Sequence, residues 1–209
     1  YFLKFHLRTD GSSRFGSETK WGTFYSVGAS WVITNEKFME SIEAINLLKL
    51  RASYGINGND NIGNYAQWGV YGSRQYNGVS GMAPDQLPKP DLTWELNKTY
   101  NIGLDFGLLQ RITGSFEYYQ RKTMDMLLLN PLSRTTGFDN IQDNIGEVMN
   151  KGWESQINAN ILDGDLKWSV GANLAHNQSE ILSLASGQNQ FLNNDNNRIL
   201  HKVGEKMYS

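Results

Sequence analysis

Residues 111–119, Arg-Ile-Thr-Gly-Ser-Phe-Glu-Tyr-Tyr, set Ile112, Gly114, Phe116 and Tyr118 on one side of an extended chain and Thr113, Ser115, Glu117 and Tyr119 on the other. Side chains alternate across a strand, so this spacing predicts a β-strand with one apolar and one polar face. Working outward, the same alternation recurs in six more places. Upstream, Tyr100, Ile102, Leu104 and Phe106 oppose Asn101, Gly103 and Asp105, and Leu50, Ala52, Tyr54 and Ile56 oppose Lys49, Arg51, Ser53 and Gly55. Before them, Tyr25, Val27, Ala29, Trp31 and Ile33 oppose Ser26, Gly28 and Ser30, and Tyr1, Leu3, Phe5 and Leu7 oppose Lys4, His6 and Arg8. Downstream, Trp153, Ile157, Ala159 and Ile161 oppose Glu154, Gln156, Asn158 and Asn160, and Trp168, Val170, Ala172 and Leu174 oppose Lys167, Ser169, Gly171 and Asn173. The reading is seven strands.

The connections alternate in length. Thr9 to Lys20, Asn57 to Leu92 and Asn130 to Asn144 are long, whereas Leu108 to Gln110 and Leu162 to Asp165 are tight, the latter carrying an Asp-Gly hairpin signal. Thr34 to Asn46 carries Phe38, Ile42 and Ile45 at helical spacing behind Asn35 as an N-cap, which predicts a short helix near 36–45 and a compact connection. Long loops on one side, tight turns on the other and strands of nine or more residues fit a transmembrane β-barrel better than a sandwich, whose strands run nearer five or six. An 11-residue strand is about 36 Å long and projects to about 28 Å at a tilt of about 40°, close to the ~25 Å apolar band of such barrels. The expected fold is therefore all-β: an antiparallel up-and-down transmembrane barrel fragment of about seven strands, open at both sides, with 1–209 as part of one barrel domain. A start at Tyr1 rather than methionine reads as a cut edge of a larger sheet.

Composition narrows the function. Lys+Arg number 19 against 21 Asp+Glu with no run of like charge, so the sequence shows no electrostatic footprint for nucleic acid or an anionic membrane surface. No cysteine is present, which removes disulfides, thiol nucleophiles and Cys-ligated metals. The 21 Gly, 22 Asn and 25 aromatic residues beside 4 Pro describe many turns joined to aromatic-rich extended segments.

Several stretches together resemble a known family: LRTDGSSRFG from Leu7, SVGASWVI from Ser26, LKLRASYGINGNDNIGNYA from Leu48, LTWELNKTYNIGLDFG from Leu92, GSFEYYQRKTMDMLL from Gly114, TTGFDNIQDNIGEVMNKGWE from Thr135 and WSVGANLAHNQSEILSL from Trp168. In this order they are similar to the barrel of SusC/RagA-type TonB-dependent outer-membrane transporters of Bacteroidota, over roughly residues 1 to 184. The resemblance implies a 22-stranded barrel in the bacterial outer membrane with an N-terminal plug. It also implies energy from the TonB complex through that plug, and import of oligosaccharides or peptides captured with a SusD-like surface lipoprotein. The segment matched holds no plug and no TonB-contacting stretch.

No catalytic constellation is legible. His6, His176 and His201 are scattered, no nucleophile elbow or phosphate loop occurs, and a hydrated lumen accounts for Asp105, Glu117 and Glu154. No metal site or cofactor is expected. The Asn/Asp clusters at 58–64 and 193–197 offer oxygen ligands without EF-hand spacing and serve turns equally well. Two readings stand for the aromatic segment Asn64 to Gly81. Tyr65, Trp68, Tyr71, Arg74 and Tyr76 contact a ligand or partner, or they anchor strand extensions near the membrane interface; Phe138 is weighed alike. Trp21, Trp31, Trp94, Trp153 and Trp168 are expected near strand ends in an aromatic girdle. Lys49, Arg51, Ser53, Asp105, Glu117 and Asn158 are expected to line the lumen. A soluble carbohydrate-binding β-sandwich using Trp68 and Tyr71, and a passive porin, are the alternative functions.

Overall fold

The computed structural model describes residues 1–184, 189–193 and 199–206. The His201 side chain and most of the 193–197 cluster lie outside these, as does the chain end. Seven strands form one antiparallel sheet: β1 (Phe2–Gly11), β2 (Trp21–Val32), β3 (Ile45–Asn59), β6 (Glu95–Leu108), β7 (Ile112–Met124), β10 (Glu147–Asp163) and β11 (Lys167–Ser183), hydrogen-bonded in that order. They correspond one to one with the seven expected strands and follow an up-and-down order. Each is longer than its alternating stretch, because polar residues continue the ladder beyond the apolar rows, as at Glu95 to Thr99 against Gly55 to Asn59.

Register keeps like with like. Leu3, Ala29, Ala52, Ile102, Tyr118 and Trp153 face one another in successive ladders, as do Trp31, Leu50, Leu104 and Phe116. The other face carries Lys4, Ser26, Ser53, Asn101, Glu117 and Glu154. Large side chains on the first face stay open to the surroundings, including Ile102, Phe116 and Leu174. Burial concentrates instead beyond one end of the sheet, where Phe15, Phe24, Ile62, Ala66, Leu92 and Trp94 form a small core.

That core fills a parting between strands. Pairing of β2 with β3 runs only from Val32↔Lys49 to Ser26↔Gly55, although β2 continues against β1 to Trp21 and β3 continues against β6 to Asn59. The Phe24 ring occupies the parting, and Gly58 leaves room for it, since a Cβ there would collide with the ring and with Trp94. Trp94 is thus a core residue, against Phe24 at 5.3 Å, and not a girdle residue. Trp153 is also displaced from the expected strand end, lying within β10 beside Phe116 and His176.

The long connections have structure of their own. Residues 60–94 contain the hairpin β4 (Val70–Tyr76) and β5 (Val79–Gln86), turned by Asn77 and Gly78 with φ of 50° and 78°, the conformation that Asn-Gly favours in a two-residue hairpin turn. Residues 125–146 contain β8 (Leu127–Pro131) and β9 (Asn140–Asn144), and the pair β12 (Gln190–Asn193) and β13 (Ile199–Lys202) follows β11. Asn144 ties the second hairpin to the first long connection: its side chain accepts from the Thr93 N–H and donates to the Thr93 and Asp125 carbonyls. No helix among the described residues is long and apolar enough to cross a membrane.

The helix expected near 36–45 does not form. Its place is taken by two short 3₁₀ turns, Ile33–Asn35 and Lys37–Met39, and Asn35 caps neither. Met39 is the buried residue, while Phe38 and Ile42 are exposed, so the i, i+4 spacing finds no surface to pack on. What closes this connection is Glu36, whose carboxylate accepts from Trp31 Nε1 at 2.9 Å. That hydrogen bond, with a second from Tyr1, holds the Glu36 carboxyl below its ordinary range. A depressed carboxyl adds stability that is complete above the usual carboxylate range and is lost as pH falls through the lowered value. Acid titration of the full-length protein should change Trp31 fluorescence at a midpoint below that of an ordinary carboxylate, and Glu36→Gln should abolish the transition.

Candidate functional site

On the polar face, Arg51 organises a charge cluster. Its guanidinium donates to both oxygens of Asp105, from Nε at 2.9 Å and Nη2 at 3.0 Å, and Nη2 reaches Glu117 at 3.3 Å. The fork geometry of arginine suits this bidentate grip. Lys49 adds a contact with Asp105 at 3.9 Å, and the Asn101 amide donates to Ser53 at 3.2 Å. Arg51 starts on β3 and Glu117 sits on β7, so the side chain must cross β6. It does so over Gly103, where a Cβ would stand 2.9 Å from Nη2. Lys49, Arg51, Ser53, Asn101, Gly103 and Glu117 together line an open cavity of about 390 Å³.

Five of the six residues expected on one polar wall are therefore neighbours. Asn158 shares the face but stands apart, opposite Thr113 and Gly171 toward the tight-turn end. Glu154 completes the wall directly across from Glu117. Gly103 and its clearance under Arg51 were not legible in advance; the signal was a glycine facing two charged residues in a strand otherwise rich in side chains.

The aromatic candidates of the long connection do not gather into one platform. Tyr71 projects from the opposite face of β4 to Arg74 and Tyr76, and Tyr76 stands at the hairpin tip, 88% exposed. Arg74 is not a free donor fork, for it pairs with Asp85 across the hairpin. Tyr65, at a φ of 65°, and Trp68 bracket a turn that the Gln86 amide holds by contacts with the Tyr65, Ala66 and Trp68 carbonyls. Trp68 lines a cleft of about 580 Å³ with Glu18, Thr19, Gln67, Pro90 and Asp91. Phe138 lies half-buried in the separate turn after Arg134–Thr136. Lys89 bridges Asp91 at 2.8 Å and Asp143 at 3.4 Å, joining the two long connections.

The Asn/Asp segment near residue 60 is occupied by protein contacts. Asp60 accepts from the buried Ser12 hydroxyl at 2.8 Å, and Arg14 donates to the Asp60 carbonyl. No cluster of metal-ligating residues occurs among the described residues.

Residues 3–200 match the family described as TonB dependent receptor-like, beta-barrel. The chain belongs to this family. It is 42% identical over 188 residues to TonB-dependent receptor P39 of Formosa agariphila, covering 88% of this chain and 18% of that protein. It is 37% identical over 203 residues to TonB-dependent receptor SusC of Bacteroides thetaiotaomicron, covering 90% and 20%. Among solved structures, the RagAB peptide importer in its closed-closed state superposes with a TM-score of 0.87 at 32% identity, covering 97% of this chain and 22% of that one. The SusC/RagA-type resemblance of the sequence is thereby shown, and the chain spans about a fifth of the length of these relatives.

The clearance at Gly103 generates a test within this barrel family's chain. Gly103→Ala should push the guanidinium off its grip on Asp105 and Glu117 and destabilise the full-length barrel by about 1 kcal/mol or less, the scale of a part-exposed ion pair. The cost should disappear in an Arg51→Ala background, as measured by the unfolding midpoint in a double-mutant cycle. An equal cost in both backgrounds would mean that Arg51 does not determine the glycine.

Proposed function

We propose that this chain forms part of the barrel wall of an outer-membrane TonB-dependent transporter that imports oligosaccharides or peptides together with a SusD-like surface lipoprotein. The observation that carries the reading is the seven-strand sheet with one mainly apolar face and one charged face, in a chain of this family. A soluble sandwich would cover such a face with a second sheet, yet its large side chains are open. Trp21 and Trp31 lie ten residues apart on the same face of β2, about 33 Å along the strand and about 25 Å at a tilt of ~40°, which matches the apolar band of outer-membrane barrels. On this reading the connections 12–20, 60–94 and 125–146 face outside and the tight turns face the periplasm. Lys49, Arg51, Ser53, Asp105, Glu117 and Asn158 then face the lumen, presenting hydrogen-bonding groups to a plug, water or a passing solute. The outer connections, with Trp68 and Tyr76 exposed, meet the substrate or the lipoprotein, and energy arrives from the TonB complex through the plug.

Two experiments address this. Deletion of the full-length gene should abolish growth on the imported oligosaccharide or peptide, and loss of TonB should have the same effect; uptake that survives without TonB would favour a passive pore. Phe116→Arg should impair membrane insertion by about 2–4 kcal/mol if Phe116 faces mid-bilayer lipid, whereas Ser115→Arg should be tolerated. Equal tolerance at both positions, read from heat-modifiable electrophoretic mobility, would sink the membrane assignment.

A further inference from the structure

The apolar face does not end abruptly toward the long connections. On three adjacent strands an aromatic residue is followed, farther along the same face, by a lysine: Tyr100 then Lys98 on β6, Tyr118 then Lys122 on β7, and Trp153 then Lys151 on β10. Lys98 and Lys122 stand directly opposite in the ladder, and Lys151 lies one register step nearer the aromatics, opposite Gln120. Like charges directly opposite are unfavourable in a sheet. Lys122 is partly relieved by Glu147 at 2.7 Å and Lys151 by Glu180 at 3.7 Å, both on the same face. Among the described residues Lys98 makes no ion pair, so the row keeps an excess of one positive charge. Overall charge balance conceals it, because register alone assembles lysines that are 24 and 29 residues apart in sequence.

The bland reading is that these are solubilising lysines on strand extensions. It does not explain why all three occupy the apolar side, next to the tyrosines, in excess over the two carboxylates, Glu147 and Glu180, that pair with them there. A lysine whose stem lies along apolar surface just beyond an aromatic belt carries its ammonium at headgroup depth. We infer that Lys98, Lys122 and Lys151 form a seat for the phosphate-bearing headgroup of a membrane lipid, with the Tyr54 and Tyr100 rings, tilted against each other at 4.6 Å, beneath it. Phosphate supplies the negative charge that the Lys98 and Lys122 pair lacks, and the acyl chains continue down the face past Ile102 and Leu104. The inference rests on the membrane reading above.

The test uses the purified full-length protein in lipid nanodiscs and in detergent. Titration with phosphatidylglycerol should raise its unfolding temperature, whereas phosphatidylcholine should not. The Lys98→Gln, Lys122→Gln double variant should bind phosphatidylglycerol about thirtyfold more weakly, given the usual contribution of each basic residue at an anionic membrane surface. Glu147→Gln, which frees Lys122, should bind it more tightly, and Lys167→Gln at the tight-turn end should change nothing. Unchanged affinity in the double variant overturns the proposal. An equal response to inorganic phosphate at the same concentration overturns its lipid part. Failure to enter nanodiscs of any composition would instead overturn the membrane reading, so the two failures are distinguishable.

Discussion

Register is the constraint on which the rest depends. A strand side chain has a period of two, so a slip of one residue in any ladder would send that strand's apolar set to the polar face and its charges to the apolar one. The ladders joining β1, β2, β3, β6, β7 and β10 keep Leu3, Ala29, Ala52, Ile102, Tyr118 and Trp153 in line, and on β11 the row ends at His176, against Trp153. The same registration creates the polar wall, since it sets Lys49 opposite Asp105 and Gly103 opposite both Arg51 and Glu117. One geometric fact thus yields the apolar band, the cavity beneath Arg51 and the outward lysine row.

Charge on the two faces is handled differently. Inside the polar wall, Arg51 holds two carboxylates with a single planar group that passes over a glycine. Past the aromatic rows the other face uses flexible lysines with singly matched glutamates. Rigid fork pairing suits a wall whose side chains must hold position, and long solvated ammonium groups suit a boundary between apolar and polar surroundings.

The seven strands were legible because one side of each is apolar over four or more alternations, a signal that composition cannot mask. The helix expected near 36–45 does not form because its spacing is helical but the sheet offers no surface there, and Glu36 with Trp31 closes the connection instead. The hairpin at 70–86 carried its own mark in Asn77-Gly78, yet its strands lack apolar alternation and vanish into a segment that reads as loop. Contacts between distant segments left no local trace: Asn144 on Thr93, Lys89 on Asp143, and the Phe24 and Trp94 core. Of the candidate site, the polar wall followed directly from alternation, whereas the aromatic set did not gather, because neighbours in sequence alternate across β4 and Arg74 already has Asp85.

The parting between β2 and β3 beyond Ser26 and Gly55 gives the sheet two mechanical regimes. Below it, backbone hydrogen bonds join all neighbouring strands, and opening requires several to break together. Above it, Trp21 to Tyr25 and Ile56 to Asn59 are joined across the gap by the side chains of Phe24, Phe15 and Trp94. Side-chain packing is less directional than a ladder and yields in smaller steps, and here it is reinforced by Ser12 and Arg14 donating to Asp60 and by Thr19 donating to the Leu92 carbonyl. The connection 12–20 and the segment 60–94 wall the Trp68 cleft from two sides, so its width follows from those hydrogen bonds and from the packing that bridges the parting.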